Sequence, residues 1–428
     1  MKPVRSLRIA DGFVRNVFVL MGGTALAMII PAIASPLLTR LYTPHDFGVF
    51  ALYISIVSVM AVPMTGNYDP AIMLPAKDED AFNLIGVCLA ISGSAGVVLL
   101  VLCLAFGHEA GIALGNRYIS PWLWLVPFTA FLIGLQQSLS FWANRQRQFK
   151  RLGANRVIES VVHPALSLAL GLRSLGAGGL IAGLLGGKAA ATWMLGRGMR
   201  EEKKKKGLWF HRKTMVEQGK RYSDFPFYSA PTSFLDVLAL QIPVLLLTKF
   251  YNPAVVGLFA LAMRVIGGPL SLVGTCVYHV YYQWISEAAH RGEDLRFYVI
   301  RVAKYLLLIV SAPVVATILF SPILFRIVFG ARWEPAGESA RILVFPLAIK
   351  FIVSPLAAIM PASGNIRLGS VWKIIYFASS AVVLSVAAHF GSKAFLCVYG
   401  GHELLLYAFY FSLILKASTG LPAARSAP

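Results

Sequence analysis

Apolar residues in this chain fall in blocks long enough to cross a bilayer, and that leaves few folds open to it. A hydrocarbon core needs roughly 20 helical residues to span it. Inside that core every backbone N–H and C=O must find a partner within the protein, so only helices or closed barrels cross. Blocks of about 20 residues suit helices and not the roughly ten-residue alternating strands of a barrel. Blocks of this kind lie near 16–38, 47–64, 83–106, 119–142, 156–173 and 178–196, then near 225–248, 255–276, 298–320, 339–360, 371–389 and 395–415. The expectation is an all-α, polytopic membrane protein of about 12 transmembrane helices. Composition agrees: 14% of the 428 residues are charged, against about 25% in a soluble domain, and mean hydropathy is +0.69.

The net charge of +20 would suggest nucleic acid on a soluble face. In a membrane chain it first describes loops retained in the cytoplasm, and no nucleic-acid partner is expected. With the N-terminus placed inside, and basic residues within two turns of a span end counted with the adjoining loop, 28 Lys and Arg fall on inside segments and 8 on outside ones, and Lys188, Arg264 and Lys350 fall in span interiors. Both termini are then cytoplasmic. The first apolar block, after Lys2, Arg5, Arg8 and Arg15, is too long for a signal-peptide core and reads as a retained span. The strongest basic segment, Arg197–Tyr222, includes Lys203, Lys204, Lys205 and Lys206. It reads as a topology-setting loop, with contact to anionic headgroups as the second reading. Three regions follow: a lobe over 1–196, a basic cytoplasmic linker over 197–222 and a lobe over 223–428. Pro31, Pro127, Pro243 and Pro313 imply kinks.

The chain also matches itself. Residues 37–53, LLTRLYTPHDFGVFALY, align without gaps to 246–262, LLTKFYNPAVVGLFALA, with nine of seventeen positions identical. The first copy joins spans one and two, and the second joins spans seven and eight. Arg151-Leu152-Gly153 is echoed by Arg367-Leu368-Gly369 at a similar offset. Six spans per half is an even number, so the halves would be parallel repeats, and transporters place their substrate sites between such repeats. The repeated residues themselves read mainly as a packing motif built on a Tyr-x-Pro turn and a Gly near a helix start.

Arg40-Leu-Tyr-Thr-Pro-His-Asp-Phe-Gly48, Tyr68-Asp-Pro-Ala-Ile-Met-Leu-Pro-Ala-Lys-Asp-Glu-Asp80, Phe329-Gly-Ala-Arg-Trp333 and the duplicated turn carry a family resemblance. The chain resembles the polysaccharide-biosynthesis flippases, the O-antigen and exopolysaccharide branch of the multidrug/oligosaccharidyl-lipid/polysaccharide exporter superfamily. It departs from them in carrying Asp69, followed by Pro70, where that family has the Glu of a Tyr-Glu pair after the second span. The resemblance implies a two-lobed, V-shaped bundle in the bacterial inner membrane. It also implies transfer of an undecaprenyl-diphosphate-linked oligosaccharide, a repeat unit of O-antigen lipopolysaccharide or of exopolysaccharide, to the periplasmic leaflet. A monomer working alongside a polysaccharide polymerase and a chain-length regulator, with no cofactor beyond a coupling ion such as H+ or Na+, completes that expectation.

An ionisable group at mid-span costs roughly 3 kcal/mol on insertion scales and should face a cavity or a partner. Arg264 and Lys350 are the expected lining of a positive cavity for a diphosphate, with Arg40 and Lys249 at its rim and Lys188 as a further candidate. Lys188 follows Gly179, Gly183 and Gly187, a face suited to close helix packing. Asp69, Asp236 and Glu159 are the candidates for ion coupling, and Asp236 could instead pair with one of the cations. The predominance of cations disfavours the alternative of a multidrug or organic-cation exporter. A polymerase or ligase enzyme is disfavoured by short outside loops without an acid, base or nucleophile constellation.

Overall fold

The computed structural model describes residues 26–291, 293–363 and 366–419. Among these all regular structure is helical. Lys2, Arg5, Arg8, Arg15 and both termini lie outside the described residues, as does the start of the first predicted span. The helices are α1 (Leu26–Leu41), α2 (Pro44–Ala61), α3 (Asp78–Ala113), α4 (Val126–Arg145), α5 (Phe149–Gly171), α6 (Ala177–Lys206), α7 (Arg212–Arg221), α8 (Ala230–Phe250), α9 (Pro253–His290), α10 (Leu295–Phe329), α11 (Glu334–Leu356), α12 (Ile359–Ala362), α13 (Ile366–Ala387) and α14 (Ser392–Thr419). A helix underlies each of the twelve predicted blocks. By length and composition, eight are long and apolar enough to cross a membrane, and α1 and residues 371–387 of α13 form two shorter apolar helices. The remaining two, α5 and α6, carry Glu159, Lys188 and the lysine run. Pro127 does not kink a span as expected. It stands in the first turn of α4, where its missing N–H costs nothing, and the preceding residues, Arg117–Leu125, form a 3-10 helix.

The chain divides into two compact units between Val237 and Leu238. The sequence-based boundaries at 196 and 223 differ from this because the basic segment does not hang free. Gly207 takes φ +63° and ends α6, and Leu208 then turns inward while Phe210 lies against α3. Phe210 stacks on Phe82 of α3 at 4.4 Å, the Asn83 side chain accepts from the backbone N–H of His211 at 2.8 Å, and Tyr68 donates to the carbonyl of Gly219 at 2.9 Å. Leu208 and Phe210, inside a run of charges, fasten the segment to the rest of the first unit. In that unit α5 lies along α6, and α4 packs on both α3 and α6. In the second, α11 is the central helix, packed by α9, α10 and α14.

The repeated turn has the same construction in each unit. Thr43 caps α2: its hydroxyl accepts from the Asp46 N–H at 3.2 Å, and the Asp46 carboxylate accepts from the Thr43 N–H at 2.9 Å, a reciprocal capping box. Asn252 caps α9 by accepting from the Ala254 N–H at 2.9 Å. The tyrosine before each cap reaches the end of the unit's fifth predicted span. Tyr42 donates to the carbonyl of Ser167 in α5 at 2.6 Å, and Tyr251 donates to that of Ala388, just past α13, at 2.7 Å. Thus the tyrosine and the cap of each repeated turn are structural parts, and the echoed Arg-Leu-Gly triplets both begin the helix that the tyrosine holds. On α6 the small-residue face is equally structural. A Cβ on Gly179 would lie 2.3 Å from the Tyr42 oxygen, one on Gly183 2.1 Å from the Ser167 hydroxyl, and one on Gly187 2.8 Å from the His163 Cβ.

If these contacts set the helix positions, Tyr42→Phe and Tyr251→Phe should each lower stability by about 1 kcal/mol, the net worth of one hydrogen bond. Gly183→Val should cost considerably more, because it wedges α5 from α6. Thermal unfolding in nanodiscs measures all three. A Gly183→Val protein as stable as wild type would refute the close packing.

Candidate functional site

Two groups of buried polar side chains stand out, one in each unit. The first surrounds Asp69. After α2 the chain reverses through short 3-10 turns, with Gly66 and Asn67 both at φ +58°. Ser92 of α3 donates to the Met64 carbonyl at 2.7 Å and pins the reversal. Asp69, 2% exposed, therefore points inward. It accepts from the Ser138 hydroxyl of α4 at 2.5 Å and from the Thr65 hydroxyl at 2.8 Å. Among the described residues no Lys or Arg pairs with it. A cavity of about 330 Å3, lined by Ser58, Thr65, Asn67, Gln137 and Ser233 as well as Asp69, opens beside the carboxyl. Asp69 lies between the apolar spans Pro44–Thr65 and Asp78–Ala113. Burial pushes its carboxyl above the usual range, and the Ser138 and Thr65 hydroxyls pull it partly back. A buried acid without a cationic partner, open to a polar cavity, is suited to taking up and releasing a proton or small cation.

Other expected residues pair among themselves. Lys188 and Glu159, predicted for different roles, form an ion pair at 2.7 Å across α5 and α6. Gln136 of α4 closes the group, donating to Glu159 at 2.8 Å and accepting from Lys188 at 3.2 Å. Each charge is satisfied by the others, as partly buried charges must be. Asp236 is half-buried in α8, between Ser233 and Val237, which both line the Asp69 cavity. Arg40 and Lys249 are exposed at the ends of α1 and α8, within the repeated turn.

In the second unit Lys350 of α11 lines a groove of about 510 Å3 against α9. The walls include Met263, Leu270, Tyr278 and Phe351, with Ser271 and Thr275 as hydroxyls. The Lys350 ammonium lies 5.7 Å from the Tyr407 ring and has no hydrogen-bonding partner among the described residues. Arg264, half-buried on α9 one turn before the groove residue Gly267, likewise makes no ion pair or hydrogen bond among them. An acid that sequence reasoning missed stands behind Lys350. Glu403 of α14 is 1% exposed, accepts from the Tyr376 hydroxyl at 2.7 Å and is near enough to Lys350 to feel its charge. The neighbouring His402 is also buried, and neither ring nitrogen has a partner among the described residues. Both lie inside the block 395–415, and the rule that singled out Arg264 applies equally to them.

Comparison with known proteins fits this architecture. The structure is similar to a multidrug resistance MATE family transporter of the MOP superfamily in an inward-facing conformation (TM-score 0.68, 14% identity, 92% of this chain and 95% of that one). It is also similar to the lipid II flippase MurJ in an inward closed conformation (TM-score 0.72, 13% identity, 94% and 90%). A MOP superfamily transporter from Pyrococcus furiosus gives TM-score 0.62 at 14% identity over 95% and 96%. The molecule is thus a multi-pass α-helical membrane protein with the fold of these transporters. A family model described as polysaccharide biosynthesis protein matches residues 37–338, and the chain belongs to that family. Amylovoran biosynthesis protein AmsL of Erwinia amylovora is 24% identical over 193 residues, 42% of this chain and 48% of that protein. The chain thus matches about half the length of that curated relative.

The Asp69 geometry makes a pH prediction. Its carboxyl binds a proton more tightly when folded than when unfolded, so it opposes folding as pH rises from the ordinary value of 3.8 through the elevated one. The stability difference between wild type and Asp69→Asn should therefore move in favour of the Asn protein as pH increases through that window. A difference independent of pH would contradict a buried, unpaired carboxyl.

Proposed function

We propose that this protein is a flippase that transfers a polyprenyl-diphosphate-linked oligosaccharide from the cytoplasmic to the periplasmic leaflet of a bacterial inner membrane. Membership of the polysaccharide biosynthesis family supports a role in glycan assembly, and the shared transporter fold supports movement of a cargo across the bilayer. The observation that carries the choice of cargo is the pair of cations in the second unit, Lys350 and Arg264, which have no oxygen partner among the described residues. A diphosphate supplies the oxygens both lack. Arg engages phosphate in bidentate fashion, and Lys acts as a compact point charge. The largely apolar groove beside Lys350 is suited to the isoprenoid portion next to that diphosphate. Similarity to AmsL favours an exopolysaccharide repeat unit over O-antigen, and a polymerase and chain-length regulator would act on the product.

In this reading Asp69 is the coupling acid. Its hydroxyl ligands and polar cavity can accept H+ or Na+, and neutralising the carboxylate removes the penalty of burying it. Glu403 is a second candidate, in the other unit. Lys188 and Glu159 hold α5 to α6, and Arg40 and Lys249 remain candidates for contact with the cargo at the repeated turns. The alternative, export of an organic cation, draws on Asp69 alone.

A strain lacking its own lipid-linked-oligosaccharide flippase separates these readings. Wild type should restore polymer. Lys350→Ala and Arg264→Ala, at equal membrane abundance, should each lower output by about tenfold or more, the loss expected for one charge-assisted contact. Full polymer output from both variants would remove these cations from the proposal.

A further inference from the structure

A second groove in the same unit lies on a different face of α11. Ile349, Ile352 and Val353 of α11 form its floor. Ile300, Ala303, Lys304 and Leu307 of α10 form one wall, and Ala408, Phe411 and Leu415 of α14 form the other. The α10 residues follow the i, i+3, i+4, i+7 pattern of one helix face, and the α14 residues follow i, i+3, i+7. The groove holds about 500 Å3, within the range of small-ligand sites. Every wall residue but one is apolar. The exception, Lys304, is exposed and has no ion pair or hydrogen bond among the described residues.

The surroundings of Lys304 identify the surface that this groove meets. Arg301, one turn earlier, lies 5.9 Å from the rings of both Phe297 and Tyr305. Those rings are 58% and 55% exposed, and Leu307 and Leu308 just beyond are 57% and 72% exposed. An arginine held between exposed aromatic rings, followed by a bare aliphatic surface, has the profile of a membrane interface giving way to hydrocarbon. The groove thus begins at Lys304, with Arg301 one turn away on the same helix, and runs into an apolar slot.

We propose that this groove is a binding site for an anionic phospholipid of the surrounding membrane, with one acyl chain between α10 and α14 and the phosphate on Lys304 and Arg301. A chain of methylenes matches walls that offer no hydrogen bond, and a phosphate with net negative charge matches two cations, Arg301 and Lys304, that form no ion pair among the described residues. A zwitterionic lipid would fit the slot equally well but gain less from the cations. The Lys350 groove opens on α9 instead, so the lipid site does not depend on the transport reading.

Native mass spectrometry of the full chain, delipidated and then titrated with phosphatidylglycerol or phosphatidylethanolamine, tests this. Wild type should retain phosphatidylglycerol preferentially. Arg301→Ala with Lys304→Ala should weaken it by about thirtyfold, at about fivefold per basic residue, and bring the two lipids to equal affinity. Lys304→Arg should keep the preference. Ala408→Trp, which fills the slot and spares both cations, should reduce occupancy by both lipids. Equal retention of the two lipids by wild type, an unchanged preference in the double variant, or displacement of phosphatidylglycerol by equimolar polyprenyl diphosphate would overturn the assignment.

Discussion

The hydrocarbon core permits no unpaired backbone, and this structure is organised around the places where a helix must nevertheless end. Each long helix satisfies its interior N–H and C=O groups by itself. At the repeated turns that arrangement stops, and side chains take over. Thr43 with Asp46 and Asn252 cap the helices that begin there, while Tyr42 and Tyr251 cross to a carbonyl near the end of another helix. Two short turns therefore fix helix ends that are 125 and 137 residues away in the chain. The glycine face of α6 depends on the same framework, since Gly179 closes directly on the Tyr42 oxygen.

A second constraint is that charge inside such a protein must be matched or used. Lys188, Glu159 and Gln136 match one another completely. Arg145 at 2.9 Å and Lys206 at 2.6 Å bracket Asp78, tying the ends of α4 and α6 to the start of α3. Among the described residues Asp69, Lys350, Arg264 and Glu403 are departures, ionisable groups held in place without an opposite charge bonded to them. Groups of this kind persist when they are part of a mechanism, and that contrast separates candidate functional residues from structural ones more sharply than membrane depth alone.

The sequence showed the helices, the fold class and the duplicated turn, because these depend on local patterns. Hydrophobic length defines the spans, and identity survives in the repeat at capping and buried positions such as Pro44 and Pro253, or Leu52 and Leu261. What it concealed depends on register between distant helices. Nothing in residues 156–196 says that Lys188 faces Glu159 until the glycine face draws α5 against α6. The basic segment reads as a cytoplasmic linker because its charges outnumber Leu208, Trp209 and Phe210. Glu403 is legible by the mid-span rule, since it falls inside the block 395–415. Its proximity to Lys350, 53 positions earlier, could come only from the packing of α14 on α11.

The central claim, that the protein moves an anionic lipid-linked oligosaccharide and couples this to an ion through Asp69, is tested most directly by translocation in liposomes. The purified full chain would be reconstituted with a defined polyprenyl-diphosphate-linked oligosaccharide, under imposed proton or sodium gradients, and the glycan exposed on the opposite leaflet would be measured. The account predicts transfer that responds to one of the two gradients, and an Asp69→Asn protein whose transfer no longer responds. Absence of transfer under every gradient, or an Asp69→Asn protein as gradient-sensitive as wild type, would contradict it.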